Sequence, residues 1–195
     1  MTANAAIALL LTAAALLTSH SVMAADAPRV KFATTAGDFV VEVYPDKAPK
    51  TVENFLQYVK DKHYDGTIFH RVIDNFMVQG GGFDTKFAQK PTRAPVVHEG
   101  REALAKGGPK NTVGTLAMAR TNDPNSATAQ FFINVKDNAF LDPSVGQPGY
   151  TVFGKVVGGM DVITKIKTTP TGAGGPFPTD VPQTPIIINS ATLVK

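Results

Sequence analysis

Eight short segments with the composition of β-strands, each bounded by turn residues, are the feature that most restricts how this chain can fold. β-Branched and aromatic residues dominate these segments, and glycine, proline, asparagine or aspartate separates most of them. They cover residues 30–34, 38–44, 67–73, 76–80, 113–119, 129–135, 151–157 and 185–194. Eight strands with few helices favour a closed barrel, because closure removes the edge strands that would otherwise pair with other chains.

Two segments have the spacing of an amphipathic helix instead. The first has Pro49 in its first turn, and apolar residues recur at i, i+3, i+4 and i+7 from Val52. The second starts at Gly159 and carries an apolar face that includes Val162 and Ile166. The predicted fold class is therefore mainly β: a closed eight-stranded antiparallel β-barrel capped by two helices.

Two further stretches lack strand or helix periodicity. The run 168–178 is rich in proline and glycine and is predicted to be a loop. Residues 84–111 form the longest irregular excursion, and we expect them on the surface near the functional site.

The amino-terminal residues differ in kind from the rest of the chain. Residues 7–17 are an apolar run in which Thr12 is the one polar residue; the run is too short to cross a bilayer as a stable helix, and the small residues Val22 and Ala24 follow. This pattern predicts a secretory signal peptide over residues 1–24, although no Lys or Arg precedes the run; a buried apolar helix is the alternative. Cleavage would leave one domain, 25–195, with no membrane anchor, and we expect it in a bacterial periplasm.

Composition excludes several kinds of site. The net charge of +3 comes from scattered Lys and Arg, so the sequence predicts no nucleic-acid partner. The chain has no cysteine, and His63, His70 and His98 lack metal-ligand spacing, so neither a metal nor another cofactor is expected. No serine of the predicted mature chain lies on a recognisable nucleophile elbow, which leaves a hydrolase unsupported.

Five motifs occur in an order that resembles one known family. They are FHRVIDNFMVQGGGF (69–83), GTLAMAR (114–120), SATAQFFINV (126–135), FLD (140–142) and YTVFGKVV (150–157). The chain resembles the cyclophilin-type peptidyl-prolyl isomerases, specifically their bacterial periplasmic members. This resemblance implies a barrel with a surface groove for proline-containing segments of unfolded or partly folded exported proteins, isomerase activity without a cofactor, and a monomeric state.

The resemblance also assigns roles to individual residues. Arg71 corresponds to the catalytic arginine, and the residues implied to bind substrate are His70, Phe76, Met77, Gln79, Ala119, Arg120, Gln130, Phe132, Phe140, Leu141 and Tyr150. Phe76, Met77, Phe132 and Leu141 would line the proline pocket, Gln79 and Gln130 would be polar anchors, and the backbone at 119–120 would pair with substrate.

Three positions depart from the pattern of many relatives. Phe140 stands where eukaryotic members often carry tryptophan, which implies weak cyclosporin binding with catalysis retained. Tyr150 stands where a histidine often lines the pocket, and the segment Glu99–Asn111 looks longer than usual. The longer segment leaves the outer, sequence-selective end of the groove unassigned.

Arg71 suits the implied chemistry because its guanidinium stays protonated and presents a rigid fork of donors. Its neighbours in sequence are largely apolar, and we expect it to be buried among them at the floor of a groove, in partial contact with water. Other interpretations remain open at this point. Arg71 could form a structural ion pair, and Phe76, Met77 and Phe132 could be ordinary barrel core.

Two other classes of protein also fit parts of the pattern. A non-catalytic proline-peptide binding module or a holdase chaperone would keep the aromatic pocket but would not need Arg71. A lipocalin-like carrier would need a hollow barrel, whereas bulky residues at successive inward positions favour a filled one.

Overall fold

The structure, a computed structural model, describes residues 27–194. The predicted signal peptide, residues 1–24, lies outside the described residues. The strands are β1 Arg29–Thr34, β2 Gly37–Val43, β3 Thr67–Ile73, β4 Met77–Asp84, β5 Thr115–Met118, β6 Phe131–Asn134, β7 Val152–Gly158, β8 Thr171–Gly174, β9 Phe177–Pro182 and β10 Ile188–Val194. The helices are α1 Pro49–Lys60, α2 Gly100–Ala105 and α3 Met160–Lys167. Within 27–194, no helix is long and apolar enough to cross a membrane.

The eight strands predicted from the sequence form one antiparallel sheet, which confirms the mainly β fold class. Its order is β10-β1-β2-β7-β5-β6-β4-β3. The two end strands meet through an isolated bridge between Ile68 and Ile187. The N–H of Phe69 donates to the carbonyl of Ile186 at 3.0 Å, and that of Gly66 donates to Ile188 at 2.8 Å. The sheet therefore curls until its ends touch, with a short contact there instead of a continuous ladder.

Aromatic side chains fill the interior of the curled sheet. The ring of Phe32 stacks on Phe39 at 4.9 Å and packs against Phe131 at 5.5 Å, and all three residues are at most 1% exposed. Helix α1 contributes Phe55 to the same cluster, and α3 contributes Ile163. The interior is packed with side chains, in contrast to the hollow barrel that a lipocalin-like carrier requires.

Two sequence predictions are wrong for parts of the connecting segments. The run 168–178, predicted to be a loop, forms most of the β8–β9 hairpin, a separate two-stranded sheet. Glycine and proline obscure its strand pattern, but glycine is needed there: a Cβ on Gly175 would lie 2.3 Å from the ring of Phe87. The excursion 84–111 contains α2, a third helix whose single good helix-forming run, 101–105, is masked by flanking glycines.

Candidate active site

The register of the sheet places Arg71 in a row with apolar residues on the outer face of the barrel. Arg71 pairs with Gln79 on β4, Gln79 with Phe132 on β6, and Phe132 with Ala117 on β5. Directly paired residues point to the same face of a sheet, and neighbouring strands are about 4.8 Å apart. Arg71 and Phe132 are therefore about 10 Å apart along one row.

A small apolar cluster, separate from the interior core, forms the floor of this outer face. It consists of buried Met77, Ala117, Phe132, Leu141 and Val152. Residues next to these in sequence, such as Val78, Ile133 and Phe153, belong to the interior core instead. Successive side chains of a strand point to opposite faces, and successive residues here are apolar, so both faces of β4, β5, β6 and β7 are apolar at these positions. Phe76 and Tyr150 are partly buried against the outer cluster, so Phe76, Met77 and Phe132 are not interior core residues.

Arg71 itself is exposed, so the expectation that apolar side chains bury it is wrong. Its pairing with Gln79 places it on the outer face, where the floor residues leave a pocket open to solvent. In residues 27–194, its guanidinium has no hydrogen bond or ion pair with another side chain or with the backbone. Its donors are therefore available to a bound molecule, and the described part of the chain contains no ion pair that would give Arg71 a structural role.

Polar groups line one side of the pocket. The side-chain amide of Gln79 donates from Nε2 to Oε1 of Gln130 at 3.0 Å. The N–H of Ala119 donates to the carbonyl of Gln130 at 3.0 Å. Within the described chain, no donor or acceptor meets the carbonyl of Ala119 or the N–H of Arg120. These two backbone groups are available to pair with an extended peptide.

Backbone carbonyl groups hold the wall formed by Arg120 and Tyr150, and the carbonyl of Gly149 accepts the most hydrogen bonds. Arg120 donates to the carbonyl of Gly149 from Nε at 3.2 Å and from Nη2 at 2.8 Å, and its guanidinium lies 4.6 Å from the ring centre of Tyr150. Tyr150 in turn packs edge-on against Phe132 at 5.4 Å. Nε2 of His98 lies 3.2 Å from the same carbonyl, and burial lowers the pKa of His98. His98, in the excursion 84–111 that was expected near the functional site, therefore supports this wall.

The opposite end of the pocket is aromatic. His70 is 3% exposed, and its ring contacts Phe83 at 4.7 Å and Phe177 at 5.4 Å. Burial is the main cause that lowers the pKa of His70 to about 4, and the neighbouring charge of Arg71 acts in the same direction. The imidazole is therefore neutral near pH 7. The sequence analysis did not assign Phe83 or Phe177 to the site. For Phe177, the available signal was an isolated phenylalanine in the proline- and glycine-rich run 168–178.

The structure brings most of the predicted site residues together around one pocket of about 360 Å³. Those that line it are His70, Arg71, Phe76, Met77, Gln79, Ala119, Arg120, Gln130, Phe132, Leu141 and Tyr150. Phe140 does not line it: its ring is 74% exposed and stacks on Phe76 at 5.7 Å, at the rim. In the described part of the chain, no group of three His, Asp or Glu side chains could hold a metal ion.

Comparison with known proteins gives consistent matches over nearly all of the described chain. The family model described as cyclophilin type peptidyl-prolyl cis-trans isomerase/CLD matches residues 29–193. The chain is 54% identical over 168 residues to peptidyl-prolyl cis-trans isomerase cyp18 of Streptomyces antibioticus, covering 85% of this chain and 98% of that protein. It is 53% identical over 167 residues to peptidyl-prolyl cis-trans isomerase B of Escherichia coli, with coverage of 84% and 98%.

Solved structures show the same fold. A cyclophilin type peptidyl-prolyl cis-trans isomerase of Cryptosporidium parvum superposes with a TM-score of 0.69 at 24% identity, covering 87% of this chain and 98% of that one. A structure of the same protein in the presence of the dipeptide Ala-Pro gives a TM-score of 0.68 at 25% identity, with coverage of 86% and 99%.

Proposed function

The chain belongs to the family of cyclophilin-type peptidyl-prolyl cis-trans isomerases, and we propose that Arg71 catalyses the rotation by donating hydrogen bonds to the twisted prolyl amide. One observation carries this proposal: an arginine without a partner in residues 27–194 lies on the same sheet face as an apolar floor, and both line one pocket.

The barrier to rotation is electronic. Twisting an X–Pro amide breaks the resonance of the C–N bond, at a cost of about 18–20 kcal/mol, and no covalent bond is made or cleaved. In the twisted state the prolyl nitrogen regains a lone pair and becomes a hydrogen-bond acceptor, which it is not in the planar ground state. A donor aimed at that nitrogen therefore binds the transition state selectively.

The apolar floor has a different role. Met77, Phe132 and Leu141 bury the proline ring and fix one side of the prolyl bond, so that rotation takes place on the other side. The available carbonyl of Ala119 and N–H of Arg120 would hold the adjacent peptide backbone in register. Both contacts bind the planar and twisted states alike, and they contribute mainly to affinity.

The magnitudes are consistent with this division. Shortening an uncatalysed time of tens of seconds to milliseconds requires a reduction of the barrier by about 5–7 kcal/mol. One preorganised donor supplies roughly 3–4 kcal/mol in comparable oxyanion sites. Arg71 therefore supplies the largest part of the barrier reduction, and it acts from the side of the pocket rather than from within the core.

The test is a protease-coupled isomerisation assay on a proline peptide. Arg71→Ala should lower kcat/KM at least about a hundredfold, as the loss of a transition-state donor does. Arg29→Ala is a matched control, since Arg29 lies on β1 and its exposed side chain pairs, within residues 27–194, only with Glu42. Full activity of a folded Arg71→Ala protein would favour the alternative function, a non-catalytic proline-peptide binding module or holdase chaperone.

We also propose that the physiological substrates are proline-containing segments of exported proteins, and that the protein acts as a monomer in the periplasm. The support is the apolar run 7–17 followed by small residues before Ala25, together with a chain that folds without cysteine. Amino-terminal sequencing after cell fractionation should find a periplasmic protein that begins at Ala25. A full-length cytoplasmic product would contradict the proposal.

A further inference from the structure

Three aromatic rings form a second compartment of the pocket, beyond Arg71. We call His70, Phe83 and Phe177 the aromatic compartment. Phe83 and Phe177 contact each other edge-on at 5.2 Å, and both contact the imidazole of His70. Both phenylalanines are only partly buried, and all three residues line the same pocket as Arg71. Apolar ring surface is therefore open to a ligand next to the proposed catalytic donor.

The β8–β9 hairpin holds Phe177 in place. Strand β9 packs along β3, and Phe87 contacts Phe177 at 6.2 Å from the other side. The backbone of Phe87 has a left-handed φ of 61°, and Gly174 and Gly175 approach its ring so closely that a Cβ on either would lie within 3.1 Å of it. This close fit fixes the hairpin, and Phe177 is a preorganised wall.

His70 contributes a buried polar atom without a partner. Its Nδ1 has no hydrogen-bond partner in residues 27–194, although a buried polar atom is normally paired. Since the imidazole is neutral near pH 7, the compartment carries no charge of its own. Within residues 27–194, the pocket lining contains two cations: Arg71 lies beside the compartment, and Arg120 lies at the far wall.

The order of residues along β4 relates the compartment to the proline floor. Met77 belongs to the floor, Gln79 lies opposite Arg71, and Phe83 lies four residues further on. Strand geometry of about 3.3 Å per residue puts Phe83 at most about 13 Å beyond Gln79, and the irregular register of β3 and β4 shortens this. An extended peptide with its proline on the floor reaches the compartment within about three residues.

We propose that the aromatic compartment is a specificity subsite, which binds an apolar, preferably aromatic, side chain within three residues of the proline and disfavours a basic one. This inference rests on the proposed isomerase site and assigns its substrate preference. The ring surface of the compartment favours contact with an apolar side chain. The guanidinium of Arg71, which has no partner in residues 27–194, repels the positive charge of a lysine placed beside it.

The experiment uses a peptide panel in which one Phe moves through the three positions on each side of the proline, in an alanine background, with Lys in matching peptides. Both kcat/KM and Kd are measured for the wild type, Phe177→Ala, Phe177→Leu and the control Val157→Ala, an exposed residue of β7 that lies outside the pocket lining. One position should favour Phe over Lys about tenfold in the wild type and the control. Phe177→Ala should reduce that ratio to about one, and Phe177→Leu should retain part of it.

Two results would overturn the inference: equal rates and affinities for Phe and Lys at all positions in the wild type, or a uniform change for all peptides in Phe177→Ala. The Kd series keeps this test apart from the proposed function. If the wild type turned over no peptide but bound the favoured Phe peptide through Phe177, the isomerase mechanism would fail and the subsite would stand.

Discussion

Acidification should destabilise this protein through the buried imidazole of His70. An unfolded histidine binds a proton below about pH 6.5, whereas His70 in the folded protein binds one only near pH 4. Between these values the unfolded state carries more protons, so the free energy of unfolding falls as the pH falls through this window. Stability from this group is fully present above pH 6.5 and is lost by pH 4.

The difference between the two pKa values sets the size of the effect. A shift from 6.5 to about 4 corresponds to about 3 kcal/mol at 1.36 kcal/mol per unit. Burial between Phe83 and Phe177 is the main cause, and the charge of Arg71 adds to it. Burial likewise lowers the pKa of His63 and His98, so these groups should also reduce the stability of the protein as the pH falls below 6.5.

The assay is urea unfolding at a series of pH values from 8 to 4, followed by circular dichroism because the chain contains no tryptophan. His70→Phe removes the titrating group but keeps an aromatic ring in the cluster. The free energy of unfolding of the wild type should fall by about 3 kcal/mol more than that of the variant between pH 7 and pH 4. Parallel curves for the two proteins, whatever their absolute stabilities, would show that His70 does not cause the loss of stability.

Three further perturbations have defined outcomes. Glu99→Ala should lower the free energy of unfolding in urea by about 2 kcal/mol, because the buried carboxyl group of Glu99 caps α1 by accepting hydrogen bonds from the N–H and the hydroxyl of Thr51, both at 2.7 Å. An unchanged midpoint would contradict this role. Gly149→Ala should weaken peptide binding, since the φ of Gly149 is 64° and a Cβ there would lie 2.4 Å from the nitrogen of Pro143. The resulting shift would displace the carbonyl that accepts hydrogen bonds from Arg120, and an unaltered Kd would count against this. Phe140→Trp should tighten cyclosporin binding in calorimetry with little change in turnover, because an indole N–H would be added at the exposed rim; equal binding by both proteins would exclude this role.

The sheet could be predicted from the sequence because its strands carry a strong local pattern. Segments such as 38–44 and 129–135 are bounded by turn residues and rich in β-branched or aromatic residues, and each became a strand near its predicted limits. The β8–β9 hairpin has no such pattern. Its conformation depends on Gly175 accepting the ring of Phe87, a contact between residues distant in sequence that composition does not reveal.

The identity of most site residues could be predicted from the sequence, but the exposure of Arg71 and the contacts of Phe177 could not. Resemblance named Arg71 and the floor residue Phe132 as members, and the register places them in one row. The exposure of Arg71 follows from the outer face remaining open to solvent, a property of the whole sheet that apolar neighbours in sequence conceal. Phe177 could not be assigned because its contact with His70 depends on the hairpin that the sequence did not predict.

The central claim, that the forked donors of Arg71 stabilise the twisted amide, is tested most directly by NMR exchange on a saturating proline peptide with Arg71→Lys. Lysine keeps the charge but loses the planar fork. Exchange between the bound cis and trans forms should slow at least about tenfold, while the Kd from the same titration should change by less than about threefold. Exchange at the wild-type rate in a folded Arg71→Lys protein would contradict the claim, since a positive charge alone would then be sufficient.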